Sequence, residues 1–416
     1  MTVPSFSGYG TFVVRRKTQQ MQRPYKIVLL LLALGLFSCA HQQPLSERTG
    51  ESGSSCKTDS SMQPDYLTLI AAGDNLYHSV MIRSGEDGNY EAAYSQIRPL
   101  TEKADIAFIN QETLLAGGSF GLSGYPKFNS PLKLGQAVAA AGFNVVNHAT
   151  NHIMDKGEKA VIATLDFWDT VPGITVLGIH RSEEALNRPA LVRKNNITVG
   201  FLSFTYGTND IPVPADKPWL VSLINREAMA KEIEALRPLC DFLVVSMHWG
   251  EEYRSDYSKT QEDLAVFLAE HRVDLVIGHH PHLIQPVKYI RRPDNRFMLC
   301  FYSLGNLISA QSQNPALLGA LAYVKIEKQN GPLKGAGMET GAESNITFAD
   351  AGAIPVVTHY EKNYTDFKIY PLYGYTEELA AKHRRNELKK ELTVDYLKGL
   401  AARVLGEMEI LRNPLN

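Results

Sequence analysis

The chain has 416 residues, a formal net charge of -2, 44% hydrophobic residues and 21% charged ones. This is ordinary globular usage, with length for one large domain or two average ones and ample material for a core. No basic excess recommends nucleic acid as a partner.

From Met21 the sequence reads MQRPYKIVLLLLALGLFSCAHQQ, with Arg23 and Lys26 ahead of an apolar run from Ile27 to Phe37. A permanent membrane span needs about 20 apolar residues, so this shorter run suits the hydrophobic region of a signal peptide. The segment LFSC resembles the lipobox of bacterial lipoproteins, which implies cleavage before Cys39 and lipidation of its thiol. Residues 1–38 are then a signal peptide whose start is Met21 or carries a long basic extension. Residues 39–65 are polar and rich in Ser and Gly, as in a flexible tether. Of the remaining cysteines, Cys56 lies in the tether, and Cys240 and Cys300 lie at or in apolar strands. This is no disulfide framework; those two read as small buried hydrophobes or as one pair in an oxidising compartment.

From Tyr66 onward short apolar runs alternate with helical patterns. YLTLIAAGD, ADIAFINQE, FNVVNH, ITVLGI, ITVGFLSFT, CDFLVVSMHWG, VDLVIGHH and FMLCFYSLGN read as strands. YEAAYSQIRPLTEKA, PLKLGQAVAAAG, KAVIATLDFWDTV, NREAMAKEIEALRP and TQEDLAVFLAEHR read as helices. Strand alternating with helix means α/β architecture with a largely parallel, covered sheet. This core is expected over 66–327. Residues 328–416 are expected to add strands joined by Gly-rich loops around Gly335 and a charged helix from Thr376 to about Arg412.

Polar residues gather at the strand ends: Asp74, then Asn110 and Glu112, then Asn151, His152 and Asp155, then His248 and Glu251, and finally His280 and His282. Strand ends of a parallel sheet converge on one edge, where α/β sheets place their ligand sites. Such oxygen and nitrogen donors suit Mn, Fe or Zn, in one or two ions, rather than a thiolate site or an all-oxygen Ca cage. In GHHPH, residues two apart face opposite ways in extended backbone, so His280 and His282 reach one centre only if the turn at Pro281 redirects them. His148, four residues before the second NH pair, reads as a packing or turn-capping residue.

The order of GD, NQE, NHxxD, HWGEEY, GHHPH and SLGN resembles the calcineurin-like metallophosphoesterases. It resembles more closely their relatives among the capsule-biosynthesis proteins, the CapA-like family of poly-γ-glutamate capsule proteins, over roughly Leu67 to Val324. The resemblance implies a four-layer α/β/β/α sandwich with a metal centre at the strand ends. Asp74, Glu112, Asn151, His248, His280 and His282 correspond to the ligands, with Glu112 as the bridging carboxylate. His152, with Asp155, corresponds to the proton-donating group, His279 falls outside the ligand set, and Asn110, Glu251 and Asn306 are assigned to substrate. One departure stands out: the phosphoesterases carry Asp-x-His where this chain has Asp74, Asn75 and Leu76, so one of two metal sites is short of a ligand.

Two functions follow. One is a lipid-anchored envelope hydrolase or transferase acting on a cell-surface polymer or its precursor, in capsule or polyanionic-polymer production. The other is a non-catalytic scaffold that tethers a polymer-synthesis complex on the same fold, which the missing histidine favours. A nucleotidase or nuclease has less support, because no aromatic and basic surface is readable. Anchorage through one thiol has a direct test: Cys39→Ser should abolish lipid labelling and release the chain from the membrane fraction or leave it unprocessed. Unchanged labelling and fractionation would remove the lipoprotein reading.

Overall fold

The computed structural model describes residues 63–85, 89–330, 345–389, 391–406, 408, 410, 411, 414 and 415. The expected signal peptide, Cys39, Cys56, the tether up to residue 62 and the loop around Gly335 lie outside the described residues. All described residues belong to the unit Thr58–Asn416.

In chain order the strands are β1 (Asp65–Asn75), β2 (Ile106–Asn110), β3 (Val145–Asn147), β4 (Thr175–Leu177), β5 (Ala190–Lys194), β6 (Ile197–Thr205) and β7 (Phe242–His248). They continue with β8 (Leu275–His279), β9 (Val287–Arg291), β10 (Phe297–Phe301), β11 (Asn306–Ile308), β12 (Leu318–Lys328), β13 (Ile346–Glu361) and β14 (Thr365–Pro371). The first sheet has the order β14-β13-β12-β1-β2-β3-β4, with β11 pairing the end of β1; the second has the order β5-β6-β7-β8-β10-β9. Each sheet has a parallel heart, β1 to β4 and β6-β7-β8-β10, flanked by antiparallel strands.

The layers follow from side-chain alternation. In the second sheet Phe242, Val244, Leu275, Ile277, Leu299 and Phe301 join the core shared with the first sheet. Their alternates Leu243, Val245, Met247, Val276, Met298 and Cys300 turn to the other face, where the helices Arg226–Leu236 and Lys259–Glu270 cover them through Met229, Ile233, Leu264 and Leu268. Both helices start on capped ends: the Asn225 side chain accepts from Ala228, and Ser258 and Gln261 form a reciprocal capping box. On the far side of the first sheet lie the helices Leu132–Ala140 and Glu158–Asp169, whose Leu134, Val138, Phe167 and Trp168 join its core. The result is the expected α/β/β/α sandwich, with two sheets that are each mixed rather than largely parallel.

The C-terminal segment shares that core. β13 pairs with β12 from Leu318↔Val357 to Lys328↔Ile346, and Leu397, Leu400 and Leu405 of the helix Val394–Leu405 pack into the first-sheet cluster. Two expected helices are broken up. Pro99 lacks the N–H that would continue a helix, so the segment from Tyr90 gives a 3₁₀ turn, Tyr90–Tyr94, and a short helix, Arg98–Thr101. The charged tail is interrupted at His383, which is fully buried, accepts from the Arg385 amide at 3.0 Å and faces the Thr358 carbonyl at 3.2 Å. Tertiary burial there overrides a strong local helix pattern. Cys240 and Cys300 are free thiols. No helix among the described residues is long and apolar enough to cross a membrane.

His148 packs as expected, beneath the helix Glu158–Asp169, where its Nε2 accepts the Trp168 indole N–H at 2.8 Å. Burial lowers its pKa from the ordinary 6.5 to about 3. The unfolded chain then takes up a proton near pH 6.5 that the folded chain refuses until about pH 3, so stability is lost as pH falls through that window. At pH 4 this one group accounts for up to about 3 kcal/mol. His148→Gln, which keeps an acceptor for Trp168, should flatten the fall in melting temperature between pH 6.5 and 4. An unchanged slope would show that His148 does not contribute.

Candidate metal centre

The parallel register of β1, β2 and β3 places Asp74, Asn110 and Asn147 side by side. Asn110 Nδ2 donates to Asp74 Oδ1 at 2.8 Å, Asn147 Nδ2 donates to Asn110 Oδ1 at 2.7 Å, and Ser203 of β6 donates to Asn147 Oδ1. This buried ladder crosses from one sheet to the other. The pairing of β1 shifts around Gly73, where a Cβ would meet the Gly305 carbonyl oxygen at 2.0 Å. Such a bulge re-aims the next side chain, here Asp74.

From the second sheet, β7 ends in His248, and the turn after β8 carries His280 and His282. Both latter residues lie in the left-handed backbone region, with φ of 96° and 59°. For side-chain-bearing residues that conformation is strained, and it turns both imidazoles inward where extended backbone would have splayed them. The His280 amide also donates to Asp74 Oδ2 at 3.3 Å, and His282 Nδ1 lies 3.1 Å from the same oxygen.

Glu112, in the loop after β2, is fully buried, and neither carboxylate oxygen has a hydrogen-bond partner. Two sets of donor atoms within 4.8 Å of one another meet at it: Glu112, His248 and His280, and Asp74, Glu112 and His282. Asn151 adjoins the first set, its Oδ1 accepting from His248 Nε2 at 2.8 Å. Buried carboxylates without donors are costly unless a cation compensates them, so these residues fit a divalent ion of the nitrogen- and oxygen-binding class. The titration balance agrees. Burial, then the Asp74 charge, raises the Glu112 carboxyl well above the usual range, with His282 opposing. Burial opposes charge on Asp74, but hydrogen bonds and charge from His279 and His282 together hold it well below that range. Burial also pushes His282 down, yet Glu112 and Asp74 outweigh it and lift the imidazole to about 9. Burial and then neighbouring imidazoles keep His248 and His280 low, the latter near 3. Protons stand where a cation's charge would go.

His152 and Asp155 sit beside this cluster, with Nδ1 of His152 2.7 Å from Asp155 Oδ2, which also accepts the Phe128 amide. The Phe128 ring meets the His152 ring edge-on at 4.6 Å. Asp155 therefore orients His152. His279 lies behind Asp74, its Nδ1 3.5 Å from Oδ1, and stacks on Phe108.

The three residues assigned to substrate are placed differently. Asn110 is fully buried in the ladder, and Asn306 is fully buried with its Nδ2 on Gln311 and the Ala316 carbonyl; both are registered against Asp74. Glu251 is exposed and pairs with Arg254 at 3.3 Å, while the charge acting on Glu112 and His282 is that of Glu252.

The sequence reading also left out residues that the structure brings to the site. Asn209 Oδ1 accepts from Asn151 Nδ2 at 3.1 Å, and Asn209 Nδ2 lies 3.2 Å from His152 Nδ1. Tyr206 lies 4.6 Å from the His280 ring, and Tyr253 lies 5.9 Å from that of His282. His78, four residues after Asp74, is close enough to His282 and His152 for their charges to lower its pKa, although burial lowers it most, to about 4. A signal for Asn209 and Tyr206 existed: β6 runs parallel to β7, so its exit, TYGTND, had to emerge at the same edge.

The profile of the bacterial capsule synthesis protein family, PGA_cap, matches residues 68–311, more than half of the chain. The chain belongs to that family. The PGA_cap match contains Asp74, Glu112, Asn151, His248, His280 and His282. Among curated relatives, the chain is 27% identical over 188 residues to the PGA biosynthesis protein CapA of Bacillus subtilis (strain 168), covering 45% of this chain and 48% of that one. It is 29% identical over 181 residues to the capsule biosynthesis protein CapA of Bacillus anthracis, covering 42% of each. The chain thus spans about half the length of the curated relatives it matches. Among solved structures, that of the Haemophilus influenzae NAD nucleotidase (NadN) aligns with a TM-score of 0.42 at 10% identity, covering 82% of this chain and 60% of that one.

The ladder gives a test of the Asn110 position. Asn110→Ala removes the donor to Asp74 and the acceptor of the Asn147 amide, which should cost about 1–3 kcal/mol of stability and lower metal affinity about 10- to 100-fold. Intact metal binding with a raised KM alone would instead return Asn110 to a substrate role.

Proposed function

We propose that this PGA_cap chain is a metal-dependent hydrolase or transferase of the cell envelope, anchored through lipid on Cys39 and acting on a cell-surface polymer or its precursor in capsule production. The observation that carries the reading is Glu112, a buried carboxylate without a donor, common to two sets of metal-ligating atoms. The curated relatives named for capsule and PGA biosynthesis supply the polymer.

Asp74, Glu112 and His282 would hold one ion, and Glu112, Asn151, His248 and His280 a second. A bound divalent ion supplies positive charge for a developing oxyanion and lowers the pKa of water. The protein's own residues do the rest. Asp155 fixes the His152 ring through Nδ1, leaving Nε2 to carry a proton to the leaving group. Asn209 Oδ1 accepts from Asn151 Nδ2 and so orients that amide. Tyr206 and Tyr253, 47% and 39% exposed, lie against the His280 and His282 rings on the solvent side. Burial, then the Glu252 and Glu112 charges, raises the Tyr206 phenol to about 12, so it stays protonated as a donor to substrate oxygen.

Removing a metal ligand and removing a proton donor have different consequences. His248→Ala and His282→Ala should lose bound metal, melting temperature and activity together. His152→Ala should retain its metal and lose about 10²- to 10⁴-fold in rate, least for substrates whose leaving group needs no proton. Metal stoichiometry, melting curves and hydrolysis of an activated phosphodiester separate these outcomes. A wild-type protein purified without chelator that carries no transition metal would replace the enzyme by a scaffold of a polymer-synthesis complex.

A further inference from the structure

A second cluster of ligating atoms lies apart from the strand-end centre, on the hairpin of β13 and β14. His359, Glu361 and Asp366 each place one ligand atom within 4.8 Å of the other two. His359 is fully buried, and its Nε2 has no hydrogen-bond partner, although it lies 3.9 Å from Glu361 Oε1. Its other ring nitrogen, Nδ1, is 2.8 Å from the Tyr375 hydroxyl. If Nδ1 carries the proton and donates it to that oxygen, Nε2 keeps a free lone pair beside the Glu361 carboxylate, which is how a ligating imidazole is usually fixed by its outer partner.

The hairpin is built to bring the three together. Its register shifts between His359 and Glu361, and Asp366 has a left-handed φ of 53°, so the bulge turns side chains from both strands to one side. Glu361 and Asp366 are partly exposed, which gives a cation access and leaves room for water. Lys368 pairs with Asp366 Oδ1 at 2.6 Å and competes for that carboxylate, while Asp366 Oδ2 offers a second oxygen.

We propose that His359, Glu361 and Asp366 form a divalent-cation site of the Zn²⁺ class, which clips β13 to β14 at the edge of the first sheet. One imidazole and two carboxylates leave a fourth, tetrahedral position to water. In such a site donor atoms stand about 3.4 Å apart, so the three side chains draw together on binding. The clip is independent of the catalytic reading, because neither β13 nor β14 supplies a residue to the strand-end centre.

The test compares the full chain with its Glu361→Gln/Asp366→Asn variant. Both substitutions keep side-chain size at partly exposed positions. After chelation and titration with Zn²⁺ alone, the wild type should bind one equivalent more than the variant. Its melting temperature should also rise by roughly 3 °C or more beyond the rise in the variant at saturating Zn²⁺. His359→Gln should give the same loss of one equivalent. Equal stoichiometry and equal Zn²⁺-dependent shifts in wild type and variants overturn the clip. Metal loss at His248 or His282 bears only on the strand-end centre, so the two readings fail separately.

Discussion

Everything at the strand-end site depends on the electrostatics of one buried side chain. A buried carboxylate with no protein donor cannot carry its charge in a low-dielectric interior unless positive charge is brought to it. The fold brings that charge from both sheets. Asp74 and Glu112 come from the first, and His248, His280 and His282 come from the second, so the site exists only where the sandwich is closed. A protein built this way would gain from a cation twice, because an ion at these residues would neutralise Glu112 and join the two sheets.

The surrounding packing serves that arrangement. The Asp74–Asn110–Asn147–Ser203 ladder fixes the first-sheet carboxylate and reaches the second sheet through hydrogen bonds alone. The left-handed residues His280 and His282 hold strained backbone beside it, which persists because β8 and the Asp74 carboxylate constrain the turn from both sides. His152 stands slightly outside, held by Asp155 and Phe128 rather than by the cluster. Residues that would hold an ion and the residue that would move a proton thus have different supports, which lets either be altered without dismantling the other.

The departure at Asn75 and Leu76 also has a structural meaning. Leu76 is buried and its amide bonds the Ile308 carbonyl, while Asn75 links Gln111 and Tyr94. These positions are committed to packing, and the imidazole that approaches from this part of the chain is His78. The set around Asp74 and His282 therefore has fewer protein donors than the set around His248 and His280, and the two ions would be held unequally.

The sequence by itself determined the α/β alternation, because buried strands are continuous apolar runs and the covering helices carry a 3.6-residue stripe. It also determined which residue types gather at strand ends, since every parallel strand must deliver its exit to one edge. Only the tertiary structure decided the rest. The pairing of β12 and β13 beside β1, the burial of Asn110 and Asn306 and the capping role of His383 all depend on contacts between segments far apart in the chain. Local propensity and periodicity carry no information on such contacts, because the free energy that selects them comes from burial and hydrogen bonding between those distant segments.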